Sequence, residues 1–203
     1  MSGSEAGSNA GPEPPRPLGA EAEAEAEAAA EAGGLALYRL NVDGFLRTVS
    51  GAWLGDSLLT VLRDRLGVTA VKDACEQGRC GACSVLIDGR LAASCTVLAA
   101  DADGTRVVTV AGLGASGLAR AIQARFLSEG AVQCGFCTPG FVVAVTELLT
   151  RRPDADDQEI REALAGNLCR CTGYGRIVAA IRAVQQERGI LPIGGEDDVE
   201  WHP

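Results

Sequence analysis

Eight cysteines fall into two groups of four, and this division limits what the chain can become more than any other feature. The first group is Cys75-Glu-Gln-Gly-Arg-Cys80-Gly-Ala-Cys83, followed by Cys95. The second joins Gln133-Cys134-Gly-Phe-Cys137-Thr-Pro-Gly140 to Cys169-Arg-Cys171. Cysteines so closely spaced serve as disulfides, metal ligands or reactive thiols. The N-terminus has Glu and Ala where a secretory signal needs a basic start and an apolar run, and no apolar stretch approaches the length of a bilayer span. The expected address is cytoplasmic, with no membrane span. Thiols there are kept reduced, so close pairs point to metal or redox chemistry rather than a disulfide framework.

The 203 residues include few aromatics, 4% in all, so the core is built from Ala, Val, Leu and Ile and is expected to divide into small units. Small units often need staples. The net charge is -9, but residues 1–34 carry -6 and residues 194–203 carry -4, leaving +1 for everything between. A nearly neutral body argues against a nucleic-acid surface. Residues 1–34, with the Glu-Ala alternation from Glu21 to Glu31, read as a disordered, solvated arm, and residues 193–203 as an acidic tail.

Between the tails, apolar alternation at Leu35, Leu37, Leu40 and Val42, the turn Asp43-Gly44 and a second run at Phe45–Val49 predict a hairpin. Asp56 or Ser57 caps a core-facing helix through Leu58, Leu59, Leu62 and Leu66, ending at Gly67. A second hairpin turns at Asp88-Gly89 and delivers Cys95 at its end, and a short strand follows at Val107–Val110. The small-residue stretch Ala111–Ser116 reads as a join between domains. Everything after it is helical, with stripes at Leu118, Ile122 and Phe126, at Phe141, Val142, Val145, Leu148 and Leu149, and at Ile177, Ile181 and Val184. Asp156 and Glu159 form a capping box for a further helix. Thr138 is the expected N-cap of the second of these four helices, with Pro139 as its first residue, so Cys137 precedes a helix N-terminus that favours a thiolate.

The first group has the Cys-x4-Cys-x2-Cys…Cys spacing of plant-type [2Fe-2S] centres. Gly78 and Gly81 let backbone amides turn toward the sulfurs, where a side chain would obstruct the approach. Zinc also accepts Cys-x2-Cys, but zinc ribbons pair one such knuckle with another, so the spacing favours a cluster over zinc. A Rieske centre needs two histidines, and His202 is the sole histidine. In the second group, Cys169-x-Cys171 is tight for one tetrahedral zinc and suits two thiolates gripping one iron of a binuclear cluster. The two groups consume all eight cysteines.

The three stretches Cys75–Cys83, Gln133–Gly140 and Gly166-Asn-Leu-Cys-Arg-Cys-Thr-Gly-Tyr174 resemble, in order and spacing, the iron-sulfur subunit of the xanthine oxidase family of molybdenum hydroxylases. The resemblance covers residues 35 to about 190 and implies an α+β chain. Its parts would be an N-terminal β-grasp 2Fe-2S ferredoxin-like domain at 35–111 and an all-α four-helix 2Fe-2S-binding domain at 112–192. It implies two [2Fe-2S] clusters, one on Cys75, Cys80, Cys83 and Cys95 nearer flavin, the other on Cys134, Cys137, Cys169 and Cys171 nearer molybdenum. It places Gln133 beside the pterin, where a buried amide offers donors and an acceptor, together with the sulfur of Cys171. Ala74, Ser84 and Ala111 depart from the residues usual in the family and leave the ligand set intact.

The same resemblance implies partners: a molybdopterin-binding large subunit and an FAD-binding medium subunit, in a heterotrimer. Electrons from a substrate hydroxylated by water at molybdenum would pass through this chain to FAD. The chain has no general base, nucleophile or nucleotide-binding glycine loop, so it carries no catalytic residue and turns over nothing alone. Two other classes compete: an independent 2Fe-2S ferredoxin, which needs neither a second domain nor Gln133, and a zinc-stapled interaction module.

Overall fold

The computed structural model describes residues 36–189. The expected arm, Leu35, the acidic tail and His202 lie outside them. Strands β1 (Ala36–Val42) and β2 (Phe45–Ala52) form the first hairpin, closed by Asp43 and Gly44 at φ 54° and 87°. Strands β3 (Ser84–Ile87) and β4 (Arg90–Ala93) form the second, with Asp88 and Gly89 at 48° and 80°. Two positive-φ residues are what a tight two-residue hairpin turn demands, and Asp-Gly supplies them. Strand β5 (Arg106–Val108) then lies between the hairpins, parallel to β1 and antiparallel to β3, giving the order β2-β1-β5-β3-β4.

The sheet departs from the sequence reading in small ways. A bulge between Ala36 and Tyr38 shifts the register, so the buried face of β1 is Tyr38, Leu40 and Val42, while Leu37 is only half-buried. Strand β5 ends at Val108 rather than Val110, because the next residue is claimed by a side chain. The Asp43 carboxylate accepts from both the amide and the hydroxyl of the buried Thr109, at 2.6 and 2.7 Å.

Helix α1 (Leu58–Thr60) is capped by Ser57, whose hydroxyl accepts from the Thr60 amide, and continues as a π-helical turn, Val61–Arg65. The expected α-helix is therefore widened: the Leu66 amide reaches back five residues to Val61. Leu58, Leu59, Val61 and Leu62 still face the core, against Leu40, Val49, Val85 and Val107. Gly67 ends the turn at φ 68°.

Four helices follow: α2 (Gly117–Ser128), α3 (Thr138–Arg151), α4 (Asp157–Ala163) and α5 (Gly175–Glu187). Their core gathers Ile122, Phe126, Phe141, Val145, Ile160, Ile177, Ile181 and Val184, as the stripes require, with Ala119 taking the place expected for Leu118. The Asp156–Glu159 capping box forms. Thr138 does not cap α3. Cys137 already has right-handed helical dihedrals (φ -78°, ψ -18°) and occupies the cap position, so Thr138 is the first helical residue.

The two cores meet at β3. Val85 faces the sheet's own core, whereas its neighbour Leu86 joins the helical one, because successive strand residues point to opposite faces. Helix α3 packs across β3 and β4. Among the described residues, no helix is long and apolar enough to cross a membrane.

Candidate metal centres

The first four cysteines converge through a loop and the end of a hairpin. Cys75 and Cys80 lie on the loop between the π-turn and β3, Cys83 immediately precedes β3, and Cys95 sits in the 3-10 turn Ser94–Thr96 after β4. The Cys75 sulfur meets Cys80, and Cys95 meets Cys83. Backbone donors point inward as expected: the Gly78 amide reaches the Cys95 sulfur at 3.2 Å and the Gln77 amide the Cys75 sulfur at 3.5 Å. Gly78 and Gly81 both adopt φ 68°, a conformation costly for other residues.

The second four come from two loops. Cys134 and Cys137 lead into α3, while Cys169 and Cys171 lie between α4 and α5. The sulfurs pair across the loops: Cys171 stands 3.7 Å from Cys134, and Cys137 meets Cys169. This corrects the expectation that Cys169 and Cys171 grip one iron together. Each belongs to a different cross-loop pair, with the exposed Arg170 between them.

The loop around Cys169 is held by three residues to which the sequence reading gave no role. The Tyr174 hydroxyl accepts from the Cys169 amide at 3.1 Å and donates to the Asn167 carbonyl at 3.0 Å. Its ring packs edge-on against Phe141, centroids 6.2 Å apart. The Thr172 hydroxyl donates to the Cys169 sulfur at 3.1 Å. Asn167 is buried and its side-chain amide reaches the Gly81 carbonyl at 3.4 Å. The available signal was their crowding around two ligand-type cysteines within one short stretch.

Gln133 lies on the rim of this group. In the chain by itself it is exposed, and its side-chain amide donates to the Cys171 carbonyl at 3.2 Å. Cys134 and Cys171 are exposed beside it.

The two groups touch through their loops. The Leu168 amide, next to Cys169, donates to the carbonyl oxygen of Cys80 at 2.9 Å. This approach needs glycine on both sides. A Cβ on Gly140 would sit 2.0 Å from the Gly81 carbonyl oxygen, and one on Gly81 would sit 2.4 Å from the Asn167 side chain.

The thiols differ in acidity. Cys75 is held down to about 6, chiefly by the Gln77 amide. Burial pushes Cys95 up to about 11 and Cys137 up to about 12. For Cys137 burial therefore outweighs the helix N-terminus that was expected to favour its thiolate. Burial also raises Cys169, but the Thr172 hydroxyl and neighbouring amides outweigh it and leave that thiol below its usual value.

These features fit binuclear clusters. All eight cysteines are free of disulfides. Two sulfurs about 2.3 Å from one tetrahedral metal stand about 3.8 Å apart, close to the Cys134–Cys171 separation of 3.7 Å. Among the described residues, no three His, Cys, Asp or Glu side chains close on a single-ion site; the thiolates of a two-iron centre are shared two to each iron.

Comparison with known proteins gives the same division. Residues 40–109 match the 2Fe-2S iron-sulfur cluster binding domain, and residues 109–182 the [2Fe-2S] binding domain. The chain is 43% identical over 143 residues to the nicotinate dehydrogenase small FeS subunit of Eubacterium barkeri, covering 70% of this chain and 90% of that one. It is 46% identical over 129 residues to the xanthine dehydrogenase iron-sulfur-binding subunit of Escherichia coli O157:H7, covering 63% and 80%. Quinoline 2-oxidoreductase from Pseudomonas putida 86 contains a chain that superposes with a TM-score of 0.69 at 39% identity, covering 77% of this chain and 99% of that one. With a β-grasp domain, a helical domain and a cysteine group in each, the chain belongs to the small 2Fe-2S electron-transfer subunits of the molybdenum hydroxylases, the family of xanthine dehydrogenase, nicotinate dehydrogenase and aldehyde oxidoreductase.

Proposed function

We propose that the chain relays electrons from a molybdopterin centre on a large subunit to FAD on a medium subunit while a substrate is hydroxylated by water. In this reading Cys75, Cys80, Cys83 and Cys95 hold one [2Fe-2S] cluster, and Cys134, Cys137, Cys169 and Cys171 hold the other. When bound, each cluster supplies a one-electron store whose potential depends on its hydrogen bonds, charge and burial.

The observation that carries the reading is the Leu168–Cys80 hydrogen bond of 2.9 Å. It leaves one hydrogen bond and one peptide unit between a ligand residue of the first group and a ligand residue of the second. The close backbone contact of Gly81 and Gly140 leaves no room for a side chain in that junction. Gln133, Cys134 and Cys171 form an exposed rim, and Phe136 and Leu168 remain 46% and 56% exposed close to it in the chain. Large apolar side chains left at a surface suit a face covered in a complex, and the rim is where Gln133 would meet the pterin.

The test is iron and acid-labile sulfide per chain in the anaerobically purified complex, with electron paramagnetic resonance during stepwise reduction. Four irons, four sulfides and two distinguishable signals are expected. In the Cys134→Ser complex one signal should vanish and substrate should no longer reduce flavin. Normal flavin reduction there would overturn the relay.

A further inference from the structure

We infer that Thr172 sets the reduction potential of the helical-domain cluster, through its hydroxyl bond to the Cys169 sulfur. The inference rests on the ligand set proposed above and goes beyond it to a residue that is not itself a ligand.

The geometry leaves the hydroxyl proton little choice. Thr172 Oγ1 lies 3.1 Å from the Cys169 sulfur. The backbone amide of Tyr174 donates into the same oxygen at 3.3 Å. A hydroxyl has one proton to give and lone pairs to fill. With a lone pair filled by the Tyr174 amide, the proton is directed to the sulfur. Among the described residues, Thr172 is the one hydroxyl side chain bonded to any of the eight cysteine sulfurs.

The frame around this bond is built to keep it. Tyr174 adopts φ 68°, a left-handed conformation uncommon for a bulky residue. That conformation is held from both ends: its hydroxyl bridges the Cys169 amide and the Asn167 carbonyl, and its ring rests on Phe141. The Tyr174 hydroxyl also claims the Cys169 amide, so that amide is directed away from the sulfur. The Thr172 hydroxyl reaches the Cys169 sulfur beside the backbone amides of Cys171 and Thr172, whereas the first group draws backbone amides at Gly78 and Gln77. Of the donors to the Cys169 sulfur, the Thr172 hydroxyl is the one that a single substitution removes.

The direction follows from charge. Reduction adds one electron, and part of the added negative charge falls on the ligand sulfurs. A hydrogen bond to sulfur stabilises the reduced state more than the oxidised one and raises the potential. Losing it should weaken reduction of that centre by about tenfold, equivalent to about 59 mV for a one-electron couple.

The experiment is potentiometry monitored by electron paramagnetic resonance on the purified complex, comparing the unaltered protein with Thr172→Val and Thr172→Ser. The helical-domain signal is the one missing in Cys134→Ser. In Thr172→Val its midpoint should fall while the other signal keeps its own; Thr172→Ser should stay close to the unaltered value. An unchanged midpoint in Thr172→Val, or an equal fall in Thr172→Ser, overturns the inference. Should Thr172→Val assemble no second cluster, Thr172→Ala removes the hydroxyl without bulk and is judged the same way. Loss of the signal in both, with Thr172→Ser intact, makes Thr172 a folding element and also overturns it. A single signal with two irons in the unaltered complex defeats instead the two-cluster reading, before any variant is compared.

Discussion

Cys80 accepts, at its carbonyl oxygen, the backbone amide of Leu168 across 2.9 Å, although 88 positions separate the two residues along the chain. Residues adjacent to this bond decide whether two loops of different domains stay in register. Its energetic weight is small by itself, about 1 kcal/mol for a typical internal hydrogen bond. Its importance is positional, because both partners lie at or next to candidate ligands.

Gly140→Ala should force that junction open. The new methyl would meet the Gly81 carbonyl at 2.0 Å, and overpacking of a close backbone contact costs about 1–3 kcal/mol or more. Denaturant unfolding should show that loss, and the magnetic coupling between the two reduced centres should weaken. Gly166→Ala is the control, since nothing lies within 4 Å of its Cβ position and its φ is not left-handed. It should change neither measurement appreciably.

Asp43 links the first hairpin turn to the segment joining the domains. Asp43→Ala would strip the buried Thr109 of the acceptor for its amide and hydroxyl protons, at roughly 1–3 kcal/mol for each buried donor left unsatisfied. Asp43→Asn keeps an acceptor and tolerates φ 54°, so it should cost about 1 kcal/mol. Equal unfolding midpoints for the two variants would show that the carboxylate does not hold the turn.

Gln185 is fully buried on α5, where its side-chain amide donates to the carbonyls of Pro153 and Ala155 at 2.8 and 3.0 Å and its oxygen accepts from Arg182. Gln185→Leu preserves shape but strips the Pro153 carbonyl of its side-chain donor and Arg182 of its Gln185 acceptor, while the Ala155 carbonyl keeps Arg182. A stability loss of about 2–3 kcal/mol is expected, measured by denaturant unfolding. The site spectra should be unaffected, because these groups lie on the α3–α4 connection, in a different loop from the cysteines.

Removing iron should reveal the difference between Cys75 and Cys137. The thiolate is the attacking form. Cys75, held at about 6, is largely ionised at neutral pH, whereas Cys137, at about 12, is a thiol. In the chelated, anaerobic chain iodoacetamide should label Cys75 well before Cys137. Raising the pH above neutral should accelerate Cys137 steadily and Cys75 hardly at all, since Cys75 has already lost its proton. Peptide mass spectrometry against time checks the order, and equal rates would contradict it.

The fold was legible in the chain where period and turn chemistry agreed. Asp43-Gly44 and Asp88-Gly89 announced both hairpins, and Ile122, Phe126, Phe141, Val145, Ile177 and Ile181 announced the helical core. The bulge after Ala36, the π-turn at Val61–Arg65 and the early end of β5 were not legible, because each depends on contacts distant in sequence. The Asp43–Thr109 bond, for instance, spans 66 positions. The grouping of the candidate site was read from spacing, and the structure pairs Cys75 with Cys80, Cys83 with Cys95, Cys134 with Cys171 and Cys137 with Cys169. The pairing within the second set was not, because Cys-x-Cys spacing says that two sulfurs are near in sequence and nothing about which way each points. Asn167, Thr172 and Tyr174 escaped for a related reason: their side chains act on backbone and sulfur atoms whose positions only the folded loop defines.

Strand β3 gives Val85 to one core and Leu86 to the other, and that alternation makes the two halves inseparable as hereditary parts. Cutting the chain at the join would leave Leu86 and the sheet face beneath α3 wet on one fragment and strip α3 of its floor on the other. A foreign helical half grafted onto this sheet would have to reproduce the contour of α3 as well as its cysteines. Recombination between relatives should therefore preserve the pair as one inherited block, with crossover points tolerated in the flanking tails and not between the domains.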